Sequence, residues 1–191
     1  MSSFKIEYKY YEGWCSYDKE GYHEYSYEEA LKRYNKNETV FVVATIENKN
    51  KPFALIMLSG RPLYISFLNE KLDEEREYRY YVLDNINTKK VFLVEVIIRE
   101  YDYDNGLLIR NIKKAHTYEF ATSNKDSDFK WLLLDKVYCV DTDYIKEERI
   151  SYESKNIIDE KSLWEDIPTF GNWDNILRED RDRVKFIEIN D

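Results

Sequence analysis

Short apolar or alternating runs broken by polar, turn-forming clusters make up much of this chain, and the longest sustained strand-like pattern runs from Val40 to Tyr101. Val40 to Glu47 reads VFVVATIE, Phe53 to Leu58 reads FALIML, and Leu63 to Leu68 reads LYISFL. A charged segment, Asn69 to Arg76, leads to Glu77–Asp84, and Lys90 to Tyr101 (KVFLVEVIIREY) closes the stretch. The breaks fall at Asn48–Pro52, Ser59–Pro62 and Asn85–Thr88, clusters of Asn, Lys, Gly and Pro. Short apolar runs between such clusters read as strands joined by tight turns. The connections are too short for crossover helices, so the pairing is expected to be antiparallel. VFVVATIE and FALIML are apolar at consecutive positions, which predicts central strands covered on both faces.

The flanks are more mixed. Phe4 to Tyr11 alternates and reads as a half-buried strand, with a loop expected from Glu12-Gly13. Ser26 and Glu29 have the spacing of a capping box, which predicts a helix over Tyr27 to Asn35 with Tyr27, Ala30, Leu31 and Tyr34 as its apolar stripe. Asn105-Gly106 is a hairpin signal between apolar runs. Thr117–Thr122 and Phe129–Val140 read as further strands, Asp141–Ile150 and Trp173–Asp182 as short helices, and Arg183–Ile189 as a final edge strand. The whole predicts an α+β fold: a mostly antiparallel meander of about six to nine strands with two or three short helices packed on it. One domain is expected over 1–191, with the core sheet at 40–140, an acidic irregular or helical region at 141–182 and the last strand at 183–189.

Composition changes this picture in two ways. Five glycines and three prolines in 191 residues exclude a repetitive or disordered chain. The formal net charge is −9, and its distribution is uneven: residues 141–191 carry 15 acidic and 8 basic side chains, whereas 39–100 carry nine of each. A surplus of acid disfavours nucleic acid, whose binding rests on Lys and Arg neutralising phosphates, and favours a basic partner. The two cysteines, Cys15 and Cys139, are far apart, and no apolar leader or run of about 20 apolar residues interrupts the chain. Free thiols, no membrane span and a cytoplasmic location are therefore expected.

Chemistry-bearing motifs are sparse. His23 and His116 are the only histidines, and no metal-ligand spacing surrounds them. Asp102-x-Asp104-x-Gly106 has Lys113 where a calcium loop needs its bidentate Glu, so it reads as a turn. Cys15 stands beside Trp14 with no cation nearby to lower its pKa. Phosphate loops and nucleophile elbows are absent. No catalytic residue, metal or cofactor is therefore expected. Glu95, inside an apolar strand, is the one carboxylate that warrants inspection as a buried acid; alternation favours an outward-facing residue.

Two surface features remain. The Tyr-rich segment from Tyr8 to Tyr34, with Trp14, suits either core or interface. The acidic stretch carries Asp141, Asp143, Glu147, Glu148, Glu153, Asp159, Glu160, Glu165 and Asp166, with Trp164 and Trp173 near its end. Acids around large aromatics are suited to binding a basic protein surface, with the Trp side chains as anchors. The alternative is a solvated face whose Trp residues pack down on the sheet. The expected function is that of a protein-binding inhibitor of the immunity-protein type, small and acidic, covering the active site of a basic, nuclease-like toxin. An enzyme with a carboxylate or Tyr site in a β-rich pocket, and a structural or phage-assembly component, are the alternatives.

Overall fold

A computed structural model describes residues 5–47, 49–60, 62–82, 89–103, 112–120, 132–141, 144–153 and 163–177. Eleven strands and one α-helix make up these residues. The strands are β1 (Ile6–Cys15), β2 (Glu20–Tyr25), β3 (Val40–Ile46), β4 (Pro52–Leu58), β5 (Pro62–Leu68), β6 (Glu74–Tyr81), β7 (Lys90–Tyr101), β8 (Ile112–Glu119), β9 (Leu132–Asp141), β10 (Tyr144–Glu153) and β11 (Trp164–Asp166), and the helix is α1 (Tyr27–Tyr34). They form a single sheet in the order β10-β9-β8-β7-β6-β5-β4-β3-β1-β2. Every pairing is antiparallel, as the short connections require. β11 pairs with the first residues of β7, Trp164 opposite Phe92 and Asp166 opposite Lys90, while β8 pairs with β7 from Glu95 onward.

Several expectations change. The strands number more than about six to nine, because Glu20–Tyr25, Tyr144–Glu153 and Trp164–Asp166 pair into the sheet where no strand is expected. The expected loop at Glu12-Gly13 is the continuation of β1, which forms a hairpin with β2. Asp141–Ile150 is not a helix: Tyr144–Glu153 forms β10, paired along its length with β9. Pairing with β9 over ten residues satisfies the backbone groups along that edge of the strand. Residues 173–177 form turns, with Ile176 and Leu177 N–H bonded to the Trp173 carbonyl, so one helix rather than two or three is found among the described residues. Residues 178–182, the expected final strand at 183–189, and the turns at Asn85–Thr88 and Asn105-Gly106 lie outside the described residues.

α1 forms where the capping box lies. The Ser26 hydroxyl accepts from the Glu29 N–H at 3.2 Å, and Ala30 is fully buried at the centre of the stripe.

The two faces of the sheet differ in chemistry. On the first, Tyr10, Val42, Ile56, Ile65, Tyr78 and Val96 stand opposite one another across six strands and are buried. This face is covered by α1 and by residues 163–177, whose Leu163, Phe170, Trp173, Ile176 and Leu177 belong to the same apolar core. Phe170 is the hub. Its ring stacks on Tyr10 at 5.4 Å and meets Tyr34 at 5.2 Å, Tyr27 at 5.4 Å and Trp173 at 5.4 Å. Residues 163–177 thus act as a strap from β7 to β1, where the Tyr8 hydroxyl donates to Asp174. The second face carries charge, and the candidate site is built on it.

Candidate functional site

On the second face one row of facing residues runs Lys9, Val43, Leu55, Ser66, Glu77, Ile97 and Thr117. From Val43 onward these are buried, Glu77 at 7% exposure, so both faces of the central strands are covered, as the two-sided apolar pattern of β3 and β4 predicts. The adjoining row runs Tyr11, Phe41, Met57, Tyr64, Arg79 and Glu95, all half-buried.

Glu77 is a charge inside this face and needs partners, since an unpaired buried carboxylate is costly. Arg79 Nε donates to its Oε1 at 2.7 Å and Arg99 Nη2 to its Oε2 at 2.5 Å. Arg79 Nη1 also lies 2.6 Å from Glu95 Oε2, and Arg99 Nη1 lies 3.8 Å from Glu74 Oε2. Ser66 donates to Glu74 at 3.0 Å, and the Arg79 guanidinium stands 5.5 Å over the Tyr64 ring. Strand alternation produces this ladder. Glu77 and Arg79 are two apart on β6, Glu95 and Arg99 four apart on β7, and the register brings them to one side. Burial pushes the Glu77 carboxyl up, but the bonds from Arg79 and Arg99 outweigh that and hold it below the usual carboxylate range. Glu77 is therefore ionised at neutral pH and is a poor proton donor. Glu95, the one acid picked out within the meander, lies on this face beside Arg79, with its side chain at 17% exposure. The Tyr64 hydroxyl is raised to about 12, first by its bond with Tyr81 and then by burial.

The turn of the β1–β2 hairpin is tied to a distant part of the sheet. β1 starts beside the end of β3 and passes its beginning, so the turn at residues 16–19 lies beyond that end of the sheet. The turn between β5 and β6 lies at the opposite end, where Lys51 reaches Glu70. On a flat sheet these turns would also be four strand spacings apart, about 19 Å. Lys19 nevertheless forms an ion pair with Asp73. The sheet therefore curls strongly enough to bring the two turns together. Register shifts at Ala44/Thr45, Phe67/Leu68, Arg79/Tyr80 and Glu100/Tyr101 are the irregularities that increase local bend and twist. Asp73 also accepts from the Tyr103 hydroxyl at 2.8 Å, and Tyr103 from Asn69 Nδ2 at 2.8 Å. Within the hairpin two glycines make room for rings. A Cβ on Gly21 would lie 2.5 Å from the Tyr11 ring, and one on Gly13 would lie 2.1 Å from the Tyr22 hydroxyl.

The sequence-predicted acidic site is distributed differently from expectation. Asp141 ends β9, opposite Tyr144. Glu147, Glu148 and Glu153 lie on β10, opposite Tyr138, Val137 and Leu132 of β9. Asp143, Asp159 and Glu160 lie outside the described residues. Glu165 is half-exposed on β11, and Asp166 is exposed, 3.9 Å from Lys90. Of the two expected aromatic anchors one is sealed in the core and the other is half-buried. Trp173 has no exposed surface, and Trp164 packs edge-on to Phe92 at 5.0 Å. Trp173 is thus a core residue of the strap and not part of a binding surface, because its ring completes the cluster around Phe170.

The Tyr-rich segment, expected as core or interface, carries the surface that does combine exposed aromatics with acids. Tyr17 is 87% exposed at the hairpin turn and Tyr22 49%, among exposed Glu12, Asp18, Glu20 and Glu24. The signal lay in Asp18-Lys19-Glu20-Gly21, a turn-forming run between two Tyr-rich segments. Tyr8, Tyr10, Tyr25 and Tyr34 belong to the core or pack against it, so the Tyr-rich segment is divided between both roles.

Cys15 is unpaired, and its thiol donates to Asp18 at 3.0 Å. Among the described residues no group of three or more His, Cys, Asp or Glu is placed to hold a metal, and no helix is long and apolar enough to cross a membrane. No protein-family model, curated protein or solved structure matches this chain.

Proposed function

We propose that this chain is a binding protein that neutralises a basic protein partner, in the manner of an immunity protein covering the active site of a nuclease-like toxin. The observation that carries this reading is the charge distribution: of the net −9, most lies in residues 141–191, with 15 acidic against 8 basic side chains. β10, at one end of the sheet order, carries three of those acids, and the Asp166 side chain is 86% exposed. Carboxylates set this way attract Lys and Arg that a nuclease uses for phosphates, and they act first on the rate of encounter. The acid–base alternative needs a carboxyl held above its ordinary range. Glu77, the carboxyl buried on the second face, is instead held below it by Arg79 and Arg99.

The test is binding to the basic protein encoded beside this chain, followed by rapid kinetics at low and high salt. The association rate is expected to fall steeply with salt. Reversing Glu147, Glu148, Glu160 and Glu165 to Lys is expected to weaken the complex at least about tenfold. An affinity indifferent to both salt and charge reversal removes the reading.

A further inference from the structure

The β1–β2 hairpin is built unlike an ordinary surface turn. Tyr17, at its apex, exposes 87% of its surface, and Tyr22 on the return strand is also exposed. Isolated exposed aromatics need no explanation. Here they sit in a setting with one sign of charge. Residues 11–25 contain four acidic side chains and one cation, Lys19. Lys19 is engaged by Asp73 at the β5–β6 turn, which leaves Glu12, Asp18, Glu20 and Glu24 as the exposed charges, with His23 bonded to Glu12 at 2.6 Å.

The hairpin is also held. Tyr22 covers Gly13, Tyr11 covers Gly21, and the Lys19–Asp73 pair fixes the turn to the far end of the sheet. Lys19 and His23 adopt φ of 59° and 54°, a left-handed backbone that non-glycine residues adopt rarely and that persists where surrounding contacts enforce it. A surface already ordered before contact loses little entropy on binding, and Tyr brings large area with few rotatable bonds.

We propose that this hairpin, through Tyr17, Tyr22, Glu20 and Glu24, is the docking surface for an arginine-bearing segment of the basic partner; the proposal rests on the reading of a basic partner given above. A guanidinium stacks on an exposed tyrosine face and takes hydrogen bonds to flanking carboxylates in the same pose. Charge complementarity selects this occupant over a second copy of the chain, whose own hairpin repels it.

The full chain, labelled with nitrogen-15, is titrated with a synthetic arginine-rich peptide, its lysine counterpart and an acidic peptide. Shifts are expected to concentrate in residues 12–24, with the arginine peptide binding more tightly than the lysine one and the acidic peptide not binding. Tyr17→Ser is expected to weaken the arginine peptide about threefold to tenfold, Tyr17→Phe to restore most of the affinity, and Glu20→Lys to weaken it further. Tyr17 touches no core residue, so the melting temperature of Tyr17→Ser should match that of the parent. Binding that maps to β10 or β11 and ignores Tyr17→Ser overturns the hairpin proposal while leaving the basic-partner reading in place. No binding of any cationic peptide counts against both.

Discussion

The two faces of the sheet solve the same burial problem with different chemistry. The apolar face closes on α1 and the strap, where Phe170 and Trp173 fill the space against Tyr10, Tyr27 and Tyr34. Any well-shaped apolar side chain would contribute there through the area it removes from water. The charged face closes on Glu77, Arg79, Arg99 and Glu95, where the contribution depends on every partner being present. The first face is tolerant in kind and strict in volume. The second is tolerant in volume and strict in charge. The tip of the β1–β2 hairpin is the most exposed aromatic surface among the described residues.

The contrast can be broken by substitution. Trp173→Ala should cost most, about 4 kcal/mol, because a fully buried ring is removed and the strap cannot collapse without losing Phe170. Urea denaturation measures it, and a loss under 1 kcal/mol would mean that the strap is not integral to the core. Arg99→Ala should cost about 3 kcal/mol by leaving Glu77 short of a partner in a buried site. The double variant Glu77→Leu/Arg99→Met should recover most of that loss, because it removes both charges and keeps the volume. If the double variant is as unstable as the single one, charge pairing is not what the second face depends on.

pH provides a finer probe. The Glu77 carboxyl is held below its unfolded value, so the stability it contributes is present above that unfolded value, about pH 4.3, and is lost as pH falls through the lower folded value. Denaturation curves at neutral pH and stepwise below about pH 4.3 should show a smaller acid loss for Glu77→Gln than for the parent. Tyr101 behaves oppositely. Burial raises its hydroxyl above the ordinary value, so its contribution is intact below about pH 10 and is lost as pH rises from there toward the folded value. Tyr101→Phe should blunt alkaline unfolding.

The smallest effects belong to the covering elements. Ser26→Ala should cost about 1 kcal/mol through the lost cap of α1. Lys19→Ala should cost less than about 1 kcal/mol globally, since its ion pair is partly solvated. It should nevertheless speed amide exchange in residues 12–22, because the hairpin then loses its hold on the β5–β6 turn. An unchanged exchange pattern would show that the ring contacts at Gly13 and Gly21 suffice.

The sequence by itself determined the local elements. Val40–Ile46, Pro52–Leu58, Pro62–Leu68 and Lys90–Tyr101 form strands where alternation and turn residues mark them, and Ser26 starts a helix where its capping box stands. These depend on side-chain period and on bonds within a few residues. Asp141–Ile150 reads as a short helix by itself, and what makes Tyr144–Glu153 a strand is pairing with β9, which its own residues do not specify. The fate of the aromatics depended on tertiary structure alone. Trp173 and Tyr17 both stand among acids in sequence, yet one is sealed under the strap and the other projects from the hairpin. Local sequence cannot separate them, because burial is set by what crosses overhead, and that follows from the path of residues 163–177 and the curl that joins Lys19 to Asp73.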